Sequence, residues 1–448
     1  MFIPSTAERL LLKFTPVFSA PTYARWVVLT VAAILTTGRR TVTNLLRTVR
    51  GGARGHASSF HRVFSRRKWA HWTLARTLAA FILDTFVRSG PVLLAVDDTV
   101  DEHRGKKVYG KGCHRDAVRS THSYTAFRWG HKWVVLAVLV RFPFATRSWA
   151  LPILVALYCS PKWSKTHGRK HRTPPTLARD LVAVLIRWFP EREFVLAGDG
   201  GFASHNLARF ASRRSDRLTL VSRFHGDAKL HNPPPARRKT HKAGRPHVRG
   251  SRLPIPKNVV RRAKRTKLNV KWYGGGNRRV SVVSRIGHWY RGGEGLVAVR
   301  WVHVRDLTGT HRDEYFFSTA PSITPQRIIE IYTQRWSIEV TFQDMRSCLG
   351  LETTRGRTEN TVLRAAPSLF GLYSIVAALY AQLPQSQKLA GRIEWAGKRG
   401  VSFSDAIRSV RRSLWQEAIV ANPAHAASFR NLPATMRETL LSAMTPAA

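Results

Sequence analysis

Two short apolar runs in this chain stop on aspartate, VLLAVDDT at residues 92–99 and EFVLAGDG at residues 193–200. Each has the length of a buried strand, and the turn pair Gly90–Pro91 precedes the first. Between them KWVVLAVLVRF (132–142) reads as another strand, and TLARDLVAVLIRWF (176–189) carries a helical apolar stripe. Strands interleaved with a helix predict an α/β core whose functional groups sit at strand ends. Strand period two puts Val92, Leu94, Val96 and Asp98 on one face and Leu93, Ala95 and Asp97 on the other, so only one of the two aspartates can point into a given site. Asp199 ends the second run between Gly198, Gly200 and Gly201, whose missing side chains permit close approach of a bulky ligand. Taken singly, each aspartate could equally cap the turn after its strand.

These acids are informative because acids are scarce. The 448 residues hold 74 Lys and Arg against 26 Asp and Glu, a net charge of +48. Ionised groups in an apolar interior cost several kcal/mol each unless paired, so most of this surplus must face solvent or a polyanion. A positive field draws phosphate backbones and membrane surfaces alike, and nucleic acid is the leading partner. The excess is concentrated in residues 228–293, which contain no acid. Arg261, Arg262, Lys264, Arg265 and Lys267 lie there, among prolines at 233–235, 246, 254 and 256 that argue against regular structure. A mobile phosphate-binding loop or arm is expected, with a solubilising linker as the alternative. After it KLNVKWY, RRVSVVSRI, LVAVRWVHVRD and DEYFFST alternate as strands and suggest a β insertion.

The length allows roughly three domains, or one large core with insertions. Residues 1–89 have helical periodicity, with SRRK at 65–68 either a solvated face or a DNA contact. Cys113, Cys159 and Cys348 form no CxxC pair, which argues against a disulfide framework or a thiolate zinc site. No histidine pair at a zinc-binding interval accompanies the acids, and no GxxxxGK[ST] loop points to ATP hydrolysis. Apolar runs at 27–36 and 133–140 are too short to span a bilayer, and no signal peptide is read, so no membrane is expected.

A third acid comes from IIEIYTQRWSIEVTFQDMRSCLG, which follows the cap pair Thr324–Pro325. Spacings of three, four and seven put Tyr332, Arg335, Glu339 and Arg346 on one face of a single helix, where Glu339 could reach the aspartates. The same spacing also suits an ordinary surface salt bridge. Three carboxylates fit hard, oxygen-seeking Mg²⁺ or Mn²⁺. Two such ions per site, about 4 Å apart, would serve phosphodiester cleavage and strand transfer.

Tyr332-x2-Arg335-x3-Glu339-x6-Arg346 resembles the Y-x2-R-x3-E-x6-K signature of insertion-sequence DDE transposases, in the IS4-like group close to its IS701-type branch, with Arg in place of the final Lys. LLAVDDT with Thr99 resembles the family's first catalytic aspartate, placed on Asp98 with Asp97 as the fallback, and LAGDGGF resembles the second at Asp199. The resemblance implies an RNase H-like mixed-sheet α/β core interrupted by a β-rich insertion, with Asp98, Asp199 and Glu339 as catalytic metal ligands and Mg²⁺ or Mn²⁺ as cofactor. It also implies cleavage and strand transfer on double-stranded DNA, at terminal inverted repeats and target DNA, by a homodimer or higher oligomer in the cytoplasm at the nucleoid. The expected layout is a helical DNA-binding domain at 1–89, core at 90–225, basic loop and β insertion at 226–320, the glutamate helix and rest of the core at 321–385, and a helical tail at 386–448. The competing readings are a catalytically inactive DNA-binding protein and a non-transposing RNase H-like nuclease.

Overall fold

Five helices precede the first strand in the computed structural model, which describes residues 5–49, 52–116, 120, 121, 123–235 and 247–446. They are α1 (Ser5–Leu12), α2 (Ala20–Leu35), α3 (Val42–Thr48), α4 (Ala57–Ser65) and α5 (His71–Phe86). Four strands follow, β1 (Val92–Glu102), β2 (Gly112–Arg115), β3 (Phe127–Val140) and β4 (Trp149–Tyr158), then α6 (Pro161–Thr166) and α7 (Pro174–Trp188). The chain continues through β5 (Phe194–Gly198), α8 (His205–Ser212), β6 (Leu218–Arg223), β7 (Leu230–His231), α9 (Pro256–Arg262), β8 (Thr266–Lys271), β9 (Asn277–Arg291), β10 (Gly295–Asp306) and β11 (Glu314–Ser318). It ends in α10 (Pro325–Gln334), α11 (Ser337–Leu349), α12 (Glu359–Gln382), α13 (Gln385–Ala390), α14 (Phe403–Val420), α15 (Pro423–Asn431) and α16 (Ala434–Met444).

The described strands form one mixed sheet in the order β2-β3-β1-β5-β6-β11-β10-β9-β7, with β4 also on β3 and β8 also on β9. Antiparallel β4, β3 and β1 are followed by β5 and β6 parallel to β1. This arrangement, behind an N-terminal helical region, is consistent with an RNase H-like core. The first strand does not end at its aspartates. β3 pairs with it from Leu94–Val138 to Glu102–Gly130, so the backbone ladder carries Asp97, Asp98 and Asp101 into the sheet interior. Side-chain polarity predicts a surface there, but the strand's end is set by how far its neighbour extends.

The β-rich stretch continues this same sheet. β9 and β10 pair from Gly295–Arg291 to Asp306–Val280, and β11 closes onto β6. The basic cluster expected in an irregular arm lies partly on regular elements, with Arg261 and Arg262 in the last turn of α9 and Lys267 in β8. Pro256 does not block α9, because it occupies the first turn, where its fixed φ fits and no amide donor is needed. Arg237, Arg238, Lys239, Lys242 and Arg245 of the predicted arm lie within 236–246, outside the described residues.

α12 begins at Glu359 under a Thr358 cap whose side chain accepts from the Thr361 amide. It contains Pro367, and Ser368 there donates its hydroxyl to the Arg364 carbonyl (2.6 Å). Its length and hydropathy match a membrane span, but 67% of its most apolar window is buried inside the protein. It packs on β4, α14, α4 and α5. The N-terminal helices are joined to the C-terminal ones by two buried arginines. Arg411 of α14, fully buried, donates to the carbonyls of Ile34 (2.7 Å), Thr36 (3.3 Å) and Cys348 (3.2 Å). Arg40 donates to the same Cys348 carbonyl (2.6 Å). Carbonyls at the ends of α2 and α11 thereby gain donors that those helices cannot supply.

Asp306 organises the turn between β10 and β11. Its carboxylate accepts from the backbone amides of Thr308 (3.0 Å), Thr310 (3.1 Å) and His311 (3.2 Å) and lies 3.4 Å from Arg278. Burial alone would raise its pKa, yet the bonds from Thr308 and Thr310 together with Arg278 hold it well below the ordinary carboxylate range. The stabilisation is therefore complete above the unfolded-state carboxylate pKa and is lost as pH falls toward the depressed folded value. Asp306→Ala should lower unfolding free energy by ~2–3 kcal/mol at neutral pH in urea denaturation. The gap to the parent should narrow in acid. A gap that does not change with pH would remove the charge from this account.

Candidate functional site

Parallel pairing of β1 with β5, in register at Val96 and Gly198, sets Asp97 and Asp98 beside Asp199 at one edge of the sheet's centre. Leu93, Val195 and Ala197 of these strands pack against Ile328, Ile329 and Tyr332 of α10. Asp97 shares the face of Leu93 and so points toward that helix. Val96 and Gly198, on the opposite face, meet Phe202, and a methyl group on Gly198 would lie 2.8 Å from the Phe202 Cβ. The Gly198 position thus permits the chain to turn tightly at Asp199.

Arg335 sits between two of the acids. Its Nη1 donates to Asp97 Oδ2 (2.8 Å) and its Nη2 to Glu339 Oε1 (2.8 Å). Two hydrogen bonds on one guanidinium fork hold the two carboxylates within about 8 Å of each other. The Asp98 carboxylate instead meets Lys132 Nζ at 2.9 Å. Asp199 accepts from the Gly201 amide at 2.8 Å and so caps the short 3-10 turn Gly200–Phe202. The capping reading of Asp199 is correct for one oxygen, and the acid still faces the other two aspartates.

The glutamate segment is two helices instead of one. α10 ends at Gln334 and α11 starts at Ser337, with Arg335 and Trp336 making a tight turn closed by hydrogen bonds from Ile338 N to Arg335 O (2.9 Å) and from Glu339 N to Trp336 O (3.1 Å). The four signature residues therefore do not share one face of a continuous helix. The break places Arg335 at the end of α10 and Glu339 in the first turn of α11, where a carboxylate is favoured by the helix dipole. Tyr332 is buried under Phe316, ring centroids 4.1 Å apart, with the Arg335 guanidinium 5.6 Å from its ring. Arg346 bonds the Thr99 hydroxyl on β1 and Glu352 (3.2 Å), which ties α11 to the strand bearing the aspartates.

The carboxylates are in tension. Burial pushes the Asp97 carboxyl up to about 7, against the pull of Arg335 and with a further push from Asp199. Burial also raises Asp98, against Lys132. Arg335 stays charged, because Asp97 and Glu339 outweigh its own burial. The side chain of Glu339 is 45% exposed, whereas those of Arg335 and Asp97 are 7% and 15% exposed, so the site opens on the glutamate side. An all-oxygen donor set under mutual repulsion fits a hard divalent cation.

Arg261 and Arg262 on α9, Lys264 between the elements and Lys267 on β8 are exposed, and Arg265 is half-buried 3.4 Å from His303. None of their described contacts reaches the carboxylates. A second group, absent from the sequence reading, is compact and buried. Asp101, His103 and His131 each offer a donor atom, and these atoms lie within 4.8 Å of one another, compatible with a metal-binding site. The expectation of no zinc-type histidine pairing rested on intervals along the chain. Here β1–β3 pairing, not sequence interval, sets Asp101 opposite His131.

A model of the DDE superfamily endonucleases matches residues 13–279, more than half of the chain. The chain belongs to that family. The match includes Asp97, Asp98 and Asp199 and stops before Arg335 and Glu339. No curated protein matches the sequence. Among solved structures, the cryo-EM piggyBac transposase synaptic complex with hairpin DNA is similar at TM-score 0.39 and 13% identity, over 98% of this chain and 81% of that one.

The bridge predicts coupling between Arg335 and Asp97. Arg335→Met should cost ~3 kcal/mol in urea denaturation, because it leaves a buried carboxylate without its cation. Adding Asp97→Asn to that variant should recover at least ~1 kcal/mol. Losses that simply add within ~0.5 kcal/mol would mean that the two side chains do not interact.

Proposed function

We propose that this chain is an insertion-sequence transposase of the IS4-like group, close to the IS701-type branch, that cleaves DNA at the element's ends and transfers the freed strands to target DNA. The support is one convergence in a chain with few acids to place: Asp97 of β1 and Glu339 of α11, far apart in sequence, share Arg335, and Asp199 at the end of β5 lies close enough to Asp97 to raise its pKa.

Glu339, Asp199 and one of the paired aspartates would hold the cofactor, two Mg²⁺ or Mn²⁺ ions. The geometry favours Asp97 over Asp98, since Asp97 shares Arg335 with Glu339 while Asp98 faces Lys132. Ions held there would supply activation of water or a 3′-hydroxyl and stabilisation of the leaving oxygen. Arg335 orients Asp97 and Glu339 toward a common point and offsets part of their charge. Arg346, fixed on Thr99 and Glu352, is placed to hold a phosphate beside that point, and Tyr332 positions Arg335 through its ring. Exposed Arg261, Arg262, Lys264 and Lys267, with Arg265, grip the phosphate backbone. Residues 1–89 form the DNA-binding domain, 90–225 and 321–385 the catalytic core, 226–320 the basic and β-rich insertion, and 386–448 the helical tail. The working form is a homodimer or higher oligomer on paired terminal inverted repeats, in the cytoplasm at the nucleoid.

The test is cleavage of supercoiled donor DNA carrying the element's ends, with Mg²⁺. Glu339→Gln and Asp199→Asn should bind those ends yet lose cutting by on the order of 10²–10³ or more. Asp97→Asn should lose as much, and Asp98→Asn less. Equal cutting by Glu339→Gln would refute the assignment. Binding without any divalent-dependent cutting by the parent would favour an inactive DNA-binding protein, and cutting indifferent to the ends a simple nuclease. Replacing Arg261, Arg262, Lys264, Arg265 and Lys267 by Gln should reduce the slope of log affinity against log salt by about 4. An unchanged slope would take that cluster out of the interface.

A further inference from the structure

Asp101 is fully buried, and its carboxylate oxygens have no hydrogen-bond partner of normal geometry, the donors that act on it being His103 and the buried Trp133 indole N–H. A carboxylate left in this state costs several kcal/mol unless a cation or donor compensates it. His103 Nε2 lies 3.5 Å from its Oδ2, and His103 is itself 4% exposed. Across the β1–β3 ladder stands His131, 1% exposed and paired directly with Asp101. Its Nε2 lies 2.9 Å from the Tyr109 carbonyl oxygen and must carry the proton to donate there. That leaves the lone pair on Nδ1, which has no partner although it is buried. A backbone carbonyl fixing one imidazole nitrogen as donor is the usual way in which a histidine is oriented to ligate through the other. The two strands also close tightly at this point. Gly130 precedes His131, and a side chain there would collide with the Asp101 carbonyl.

We propose that Asp101, His103 and His131 form a zinc site, with water completing the coordination, separate from the carboxylate site around Arg335. Two imidazoles and one carboxylate form an N₂O donor set suited to Zn²⁺, unlike the all-oxygen set at Asp97, Asp199 and Glu339, which suits Mg²⁺. Zn–N distances of about 2.0–2.1 Å require donor atoms somewhat closer together than in the present arrangement, a contraction within reach of His103, which lies just beyond the end of β1. Bound there, the ion joins the end of β1 to β3 and to the segment after Glu102. The proposal does not depend on the transposase reading.

The experiment is metal analysis of the full chain, stripped with chelator and reloaded with Zn²⁺ in the presence of excess Mg²⁺. One Zn²⁺ per chain should be retained, equally in an Asp97→Asn, Glu339→Gln double variant, and lost in His103→Asn and His131→Asn. Co²⁺ offered in place of Zn²⁺ should give the intense visible bands of a low-coordinate nitrogen-ligated ion, a readout on the parent chain that needs no variant to fold. Zn²⁺ that disappears with Asp97 and Glu339, or that persists without His103 and His131, would overturn the proposal. So would a parent chain that retains no Zn²⁺ and gives only pale octahedral Co²⁺, which would leave His103 and Asp101 as a plain buried ion pair.

Discussion

The guanidinium of Arg335 joins the central strand to the helix that follows α10, a link that Arg346 on Thr99 supports further along the same strand. It reaches Asp97 in the central strand and Glu339 in the first turn of α11, and its own position is set by α10, whose Ile328, Ile329 and Tyr332 pack on the sheet. The ion pair is costly to bury, so its geometry has to be held by something else. The apolar face of α10 supplies that support, and the break after Gln334 aims the next helix back toward the sheet. If α10 slid by one turn, Arg335 would lose both carboxylates.

The shortage of acids shapes the rest of the interior. Of the buried arginines Arg40, Arg335 and Arg411, only Arg335 is matched by carboxylates. Arg411 and Arg40 instead satisfy backbone carbonyls near the ends of α2 and α11, a place where a cation is favoured in any helix. The acids that are inside do specific work: Asp306 builds a turn, Asp405 caps α14, and the group on β1 lines the sheet. The end of α2 consequently depends on Arg411 of α14, which joins the N-terminal helices to the C-terminal ones.

Of the core strands, β1, β3 and β5 are legible as apolar runs, and with α7 they overlap the segments that periodicity marks, although β1 runs on to Glu102. Strands β4 and β6 give no clear signal, since WALPILVALY contains a proline and LTLVSR is short. The break between α10 and α11 left no trace, because the apolar period of YTQRWSIEV continues through it. The face alternation of Asp97 and Asp98 was legible, but the choice between them depends on where Arg335 and Lys132 point, which only tertiary packing decides. His131 was silent for a related reason: its relation to Asp101 comes from strand pairing, and no local spacing encodes that.

Asp97 and Asp101 lie on the same face of one strand, four residues and so roughly 13 Å apart. Between them Thr99 is bonded to Arg346, which inserts a fixed positive charge into the row. An ion at one acid would therefore be screened from the other by a guanidinium, and the two donor sets would select ions by chemistry as well as by place. Histidine nitrogen at the far end favours a borderline metal, whereas carboxylate oxygen around Arg335 favours a hard one. Rigidity at the Asp101 end would carry along β1, whose ladder with β3 is unbroken from Leu94 to Glu102, and so fix the direction in which Asp97 meets Arg335.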